Sequence, residues 1–142
     1  MSELLYKASD LMKEPVIVDG SATLSEAITR MLNEGVDALV VVDKSNRLVG
    51  IITKRDILWA IKYREADIAK TSISSVMNKN IITVEPEVNL ADIVNIMLEN
   101  NISHIPVVED GKVVGIISDR DLVEVLSDVL DRLRVRGSVV EE

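Results

Sequence analysis

Two short segments of the chain carry side chains that could hold a phosphorylated ligand. Thr53-Lys54-Arg55-Asp56 and Ser118-Asp119-Arg120-Asp121 each place a hydroxyl group three residues before a carboxylate. At the start of a helix, the hydroxyl and the free backbone N–H groups can donate to a phosphate, and the carboxylate can accept hydrogen bonds from ligand hydroxyls. The same spacing also forms a helix cap that needs no ligand, so both interpretations stay open.

Both segments belong to an internal repeat. Residues 49–58 (VGIITKRDIL) recur as residues 114–123 (VGIISDRDLV). Further upstream, Leu11-Met12 corresponds to Val76-Met77. The small differences in spacing fall in polar loops, which is typical of a duplicated structural unit.

Each copy predicts the same order of elements, β-α-β-β-α. β-branched segments at 16–18 and 81–84 precede amphipathic helices over 24–34 and 90–100. Hairpins follow, pairing 38–42 with 48–52 and 104–108 with 113–117, and second helices begin at residues 54 and 119. Thr23 with Glu26 predicts a capping box, Asn89 with Asp92 a weaker copy of it, and Gly35 and Asn101 suit left-handed C-terminal caps.

The fold class is therefore predicted as α/β, or more strictly α+β. A half of about 60 residues is marginally stable alone, so we expect the two pseudo-symmetric repeats to pack sheet to sheet. The predicted boundaries are residues 1–62 for the first repeat with its N-terminal lead-in and 63–75 for a connector. The second repeat follows over 76–127, and the tail over 128–142.

Composition excludes several classes of protein. The chain has 142 residues, 16 Lys and Arg against 24 Asp and Glu, a formal charge of −8, one His and no Cys. Disulfides, thiol catalysis and Cys-type zinc sites are excluded, and we predict no metal site. Nucleic-acid binding is disfavoured by the acidic charge. Short apolar runs and the absence of a leader predict a cytoplasmic protein with no membrane association.

The repeat resembles a tandem pair of cystathionine-β-synthase (CBS) domains, also called a Bateman module. The resemblance rests on the lead-ins Ser9-Asp-Leu-Met12 and Ser74-Ser-Val-Met77, on Ser103-His-Ile-Pro-Val107, and on both Gly-Ile-Ile-Thr/Ser-x-x-Asp segments. It covers about residues 5–130. It implies a stand-alone regulatory module that binds AMP, ADP, ATP or S-adenosylmethionine in clefts between the repeats and signals to an unknown regulated protein. It also implies a homodimer, no enzymatic activity and no required cofactor.

The resemblance also assigns roles to individual residues. Ribose would be held by Asp56 and Asp121. The phosphate side would comprise Thr53, Lys54, Arg55, Ser118, Arg120 and His104. The adenine pocket would comprise Ile17, Val36, Asp37, Ile82, Ile102 and Ser103.

Several alternatives stay open at this point. The second segment replaces the Lys of the first with Asp119, so a polyphosphate is expected to prefer the first cleft unless His104 compensates. His104 either contacts phosphate or merely closes its strand. The Arg residues of the tail either reach a ligand or form a solvated face. The competing function is a structural or oligomerisation module with no physiological ligand.

Overall fold

The first half of the chain forms a three-stranded sheet with two helices. The computed structural model describes residues 6–136. Strand β1 (Ile17–Asp19) pairs in parallel with β2 (Ala38–Val42), which pairs antiparallel with β3 (Leu48–Thr53). Helix α2 (Leu24–Glu34) connects β1 to β2, and α3 (Lys54–Arg64) follows β3 directly. A short helix, α1 (Ala8–Leu11), precedes β1.

The second half repeats this arrangement with a smaller sheet. Helix α4 (Leu90–Asn100) leads to the hairpin of β4 (His104–Glu109) and β5 (Lys112–Ser118), and α5 (Asp119–Arg136) completes the described chain. Both hairpins carry a register shift at the same place, between Val41 and Val42 and between Val107 and Val108. The predicted mixed class and twofold repeat are confirmed.

The prediction of a strand over residues 81–84 is wrong, because the structure has no strand there. Pro106 explains its absence. In the first half, the Val40 N–H donates to the Val16 carbonyl at 2.9 Å. The position of Val40 is held in the second half by Pro106, which has no N–H to donate. The strand is therefore reduced to a single parallel bridge between Val84 and Val107.

The helix ends follow the predicted caps. The Thr23 hydroxyl accepts from the Glu26 N–H, and the Glu26 carboxylate accepts from the Thr23 N–H, which completes a capping box. Asn89 accepts from the Asp92 N–H without the reciprocal bond. Gly35 and Asn101 both adopt the left-handed conformation, with φ of 68° and 52°. These four predictions are confirmed.

Each lead-in packs against the opposite half of the molecule. Ala8 and Leu11 lie in the buried cluster of the second half, and Met12 packs against Gly115 on β5. Conversely, Ile73 lies in the cluster of the first half, and Met77 packs against Gly50 on β3. The two clusters are thus each completed by residues from the other repeat, which ties the halves together.

Helix α5 incorporates the beginning of the predicted tail. Arg132 bonds to Asp128 at 2.8 Å and lies 3.4 Å from the Tyr6 hydroxyl. The remainder of the predicted tail, residues 137–142, and the first five residues of the predicted first repeat lie outside the described residues.

Candidate functional site

Both Thr/Ser-x-x-Asp segments lie where a strand passes into a helix. In the first, the Thr53 N–H and hydroxyl donate to Oδ2 of Asp56 at 2.8 and 3.0 Å, and the Asp56 N–H donates back to the hydroxyl. In the second, Ser118 makes the same bonds to Oδ2 of Asp121 at 2.8 and 3.2 Å. The capping interpretation is therefore confirmed for both segments. Each carboxylate is fixed beside a helix N-terminus, where free N–H groups favour an anion.

The two carboxylates differ in their remaining oxygen. Among the residues that the structure describes, no group donates to Oδ1 of Asp56. In contrast, Oδ1 of Asp121 accepts from the Lys13 ammonium at 2.7 Å. Asp121 is 7% exposed and is the buried charged residue of the described chain. Hydrogen bonding to Asp121 raises the pKa of Lys13 above its usual range, and Glu124 acts in the same direction.

A cleft of about 930 Å³ opens beside Asp121, between the two halves. Its walls come from the segment before β1, from α2 and the turn before β2, from the start of α3, and from β5 with the start of α5. Apolar side chains of both halves contribute, including Val16, Val36 and Ile116. A volume of this size accommodates a nucleotide, and an apolar wall with few polar groups is typical of a ligand pocket.

The structure brings together one part of the predicted site. Seven predicted site residues line the cleft: Val36, Asp37, Lys54, His104, Ser118, Arg120 and Asp121. The lining does not include Ile17, Thr53, Arg55, Asp56, Ile82, Ile102 or Ser103. Lys54 thus faces the Asp121 cleft although it belongs to the Asp56 segment. The roles assigned to all these residues stay predictions.

His104 joins the two halves at the edge of the cleft. Its Nε2 lies 2.8 Å from Oδ1 of Asp37, and its Nδ1 lies 2.8 Å from the Ser103 hydroxyl. Both ring nitrogens are therefore engaged within the chain. A phosphate contact by His104 would require one of these bonds to be given up.

Sequence reasoning missed the residues between α1 and β1. Lys13 is held in place by paired backbone bonds with Ile116, and its side chain reaches Asp121 and Glu124. Glu14 lines the same cleft. The only sequence signal was the position of Lys13, directly after the lead-in Met12.

The described residues contain no group of three or more His, Cys, Asp or Glu side chains suited to a metal ion. Likewise, no described helix is both long enough and apolar enough to cross a membrane.

Comparison with known proteins identifies the family. The family model named CBS domain matches residues 8–63 and 73–128. The chain belongs to the CBS-domain family. The match covers both repeats.

Three similar proteins place this CBS pair among its relatives. It is 38% identical over 114 residues to a 17.7 kDa protein of Acidianus ambivalens, covering 80% of this chain and 68% of that protein. It is 28% identical over 115 residues to inosine-5'-monophosphate dehydrogenase of Nitrosopumilus maritimus, covering 80% of this chain but only 23% of the enzyme. The solved CBS domain pair of protein MJ0100, in complex with methylthioadenosine and S-adenosyl-L-methionine, superposes with a TM-score of 0.81. That pair is 28% identical, and the match covers 88% of this chain and 98% of that chain.

Proposed function

We propose that this CBS pair is a regulatory sensor that binds an adenosine-containing ligand in the cleft beside Asp121. The observation that carries the proposal is a buried carboxylate at a capped helix N-terminus, which faces a cleft built by both halves. In this proposal the carboxylate accepts from the ribose hydroxyls, and Val36 with the other apolar side chains contacts adenine. The complex of MJ0100 with two adenosine-containing ligands supports the ligand class.

The charge of the cleft favours a ligand with few phosphates. Three cationic side chains line it, Lys13, Lys54 and Arg120, against five carboxylates, Glu14, Asp37, Asp119, Asp121 and Glu124. With neutral His104 the lining has a formal charge of −2, so each added phosphate meets net repulsion. We therefore expect AMP or S-adenosylmethionine to bind this cleft more tightly than ATP. The Asp56 segment lies outside this cleft and offers Arg55 to a polyphosphate, because its Lys54 lines the Asp121 cleft instead.

A ligand that bridges the halves also offers a way to signal. The cleft is lined by α2 and α3 of the first half and by α5 of the second. A ligand that binds one relative position of the halves better than another shifts the protein toward that position. We propose that this shift is passed to a separate regulated protein, and that the module itself catalyses no reaction.

A second function is supported by one specific observation on α5. Val123, Leu126, Leu130 and Leu133 are about half or more exposed and recur at intervals of three and four residues. This spacing forms a single apolar seam along the helix, as in a helix that pairs with another helix. We propose that the seam mediates homodimerisation. An oligomerisation module without a ligand would still dimerise through this seam but would not bind an adenosine-containing ligand.

A thermal-shift panel separates these two functions. AMP, ADP, ATP and S-adenosylmethionine are each tested on the wild-type chain, on Asp121→Asn and on Asp131→Asn, which is an exposed position of the same helix. A ligand at a hundredfold excess over its Kd stabilises the fold by about 2.7 kcal/mol, or about 5–10 °C in Tm for a chain of this size. We expect that shift in the wild type and in Asp131→Asn, and its loss in Asp121→Asn. The absence of any shift with all four ligands would leave only the oligomerisation function.

A further inference from the structure

The Lys13 ammonium is paired with the Asp121 carboxylate, which is the group that the proposed function assigns to the ribose hydroxyls. It lies 2.7 Å from Oδ1 of Asp121 and 3.2 Å from Oε1 of Glu124. Its backbone is fixed by two bonds to Ile116, whereas its side chain is 59% exposed. Lys13, Asp121 and Glu124 also line a second hollow of about 190 Å³ beside Tyr6 and Asp128. The ion pair therefore forms part of the wall between the cleft and this second hollow.

Counting hydrogen bonds shows why the ammonium must move when a ribose binds. A carboxylate offers about four acceptor positions. Three positions on Asp121 are already used, by the N–H and hydroxyl of Ser118 and by Lys13. Two ribose hydroxyls need two positions, so one existing donor must leave. The Ser118 N–H belongs to the backbone at the helix start, and the Ser118 hydroxyl is held beside Asp121 because it also accepts from the Asp121 N–H. The long Lys13 side chain is therefore the donor that can leave with the least rearrangement.

The equivalent position in the other half lacks this competitor. Asn78 pairs with Ile51 through the same two backbone bonds that join Lys13 to Ile116. Its side-chain amide carries no charge, and Oδ1 of Asp56 has no donor among the described residues. The difference between Lys13 and Asn78 therefore distinguishes the two carboxylates of the pseudo-symmetric pair.

We propose that Lys13 is a specificity-determining residue that couples ribose binding at Asp121 to the presence of an anionic group on the ligand. A neutral nucleoside displaces the Lys13 ammonium from Asp121 and has no anionic group with which the ammonium can pair. A nucleoside monophosphate displaces it too, but the phosphate replaces the lost carboxylate as the partner of Lys13. Specificity is a difference of two affinities, and here Lys13 weakens the binding of a neutral nucleoside and strengthens the binding of a nucleoside monophosphate. This inference rests on the proposed function.

The test compares adenosine with AMP by isothermal titration calorimetry. The proteins are the wild type, Lys13→Met, Lys13→Arg and Lys44→Met, the last of which removes the same charge from the exposed turn of the first hairpin. Compared with the wild type, Lys13→Met should bind adenosine more tightly, and its preference for AMP over adenosine should be smaller. The ratio of the adenosine Kd to the AMP Kd should fall about fivefold or more, a typical size for coupling within one site. Lys13→Arg and Lys44→Met should keep the wild-type ratio.

The outcomes separate this inference from the proposed function. If the wild type binds AMP and Lys13→Met leaves the ratio unchanged, or if Lys44→Met lowers it equally, the role of Lys13 is overturned and the proposed function stands. If neither the wild type nor Lys13→Met binds either ligand, the role of Lys13 is overturned, and the proposed function is then decided by S-adenosylmethionine, ADP and ATP in the thermal-shift panel. Binding of adenosine by Lys13→Met alone would support the competition directly.

Discussion

Gly115→Ala tests whether the exchanged lead-ins hold the two halves together. A methyl group at residue 115 would overlap the Met12 sulfur and would lie 2.7 Å from both Cβ and Cγ of Met12. Real Cβ atoms essentially never approach other atoms so closely. Met12 Cβ is bonded directly to the backbone, and the flanking Lys13 is fixed to β5 by two hydrogen bonds. The lead-in must therefore shift as a whole.

The expected cost follows from this geometry. Inserting a methyl group into a packed contact typically costs about 1–3 kcal/mol. Replacing Gly by Ala returns about 0.4–1 kcal/mol, because the unfolded chain loses freedom. We expect a net destabilisation of about 1–2 kcal/mol, which corresponds to a decrease in Tm of about 2–8 °C for a chain of this size.

Gly50→Ala is the matched control in the other half. There the methyl group would overlap the Met77 sulfur and lie 2.8 Å from Cγ and 3.0 Å from Cε, all in the flexible part of the side chain. Met77 can rotate away, so Gly50→Ala should be the less destabilising variant.

The assay is thermal and urea unfolding of both variants, with Gly115→Ala repeated in a Met12→Ala background. Removing the Met12 side chain beyond Cβ should reduce the cost of Gly115→Ala by about 0.5 kcal/mol or more, as expected for residues in contact. A wild-type Tm for Gly115→Ala, or an equal cost with and without Met12, would refute the packing of the lead-in on β5.

Two further predictions concern α5 and Lys13. Because its pairing with Asp121 raises the pKa of Lys13, the pair stabilises the fold below the usual Lys pKa, and this contribution is lost as pH rises above about 10.4. The decline of Tm over that range should be shallower in Lys13→Met than in Lys44→Met, and equal slopes would count against the ion pair. On α5, Leu126→Glu with Leu130→Glu should convert the proposed dimer to a monomer in light scattering, whereas Asp131→Glu, at an exposed position of the same helix, should leave the proposed dimer intact. A double variant that remains dimeric would exclude the seam as the interface.

Local rules predicted most of the fold. The caps at Thr23, Asn89, Thr53 and Ser118 depend on residues three apart, and the hairpins depend on contiguous apolar runs, so both are readable from sequence. The missing strand at 81–84 depends on a backbone partner, Pro106, that lies more than twenty residues away in the chain. Local β propensity alone therefore predicted a strand that its neighbour cannot support.

The candidate site was predicted less completely, because it depends on how the repeats exchange segments. The duplication placed Asp121 and Ser118 at a helix start, as the structure has them. Lys13 lies 108 residues before Asp121 in the chain and meets it only because its segment pairs with β5 of the second half. Lys54 likewise lines the cleft that holds the carboxylate of the opposite repeat. No local pattern reports such a contact.

The most direct test of the central claim is calorimetric titration of AMP into the wild type and Asp121→Asn. We expect heat of binding in the wild type and in Asp131→Asn, and a Kd weakened about tenfold or more in Asp121→Asn, since a hydrogen bond to a charged group contributes about 1.5–3 kcal/mol. Equal AMP affinity in the wild type and in a folded Asp121→Asn variant would contradict the role of Asp121 in ligand binding.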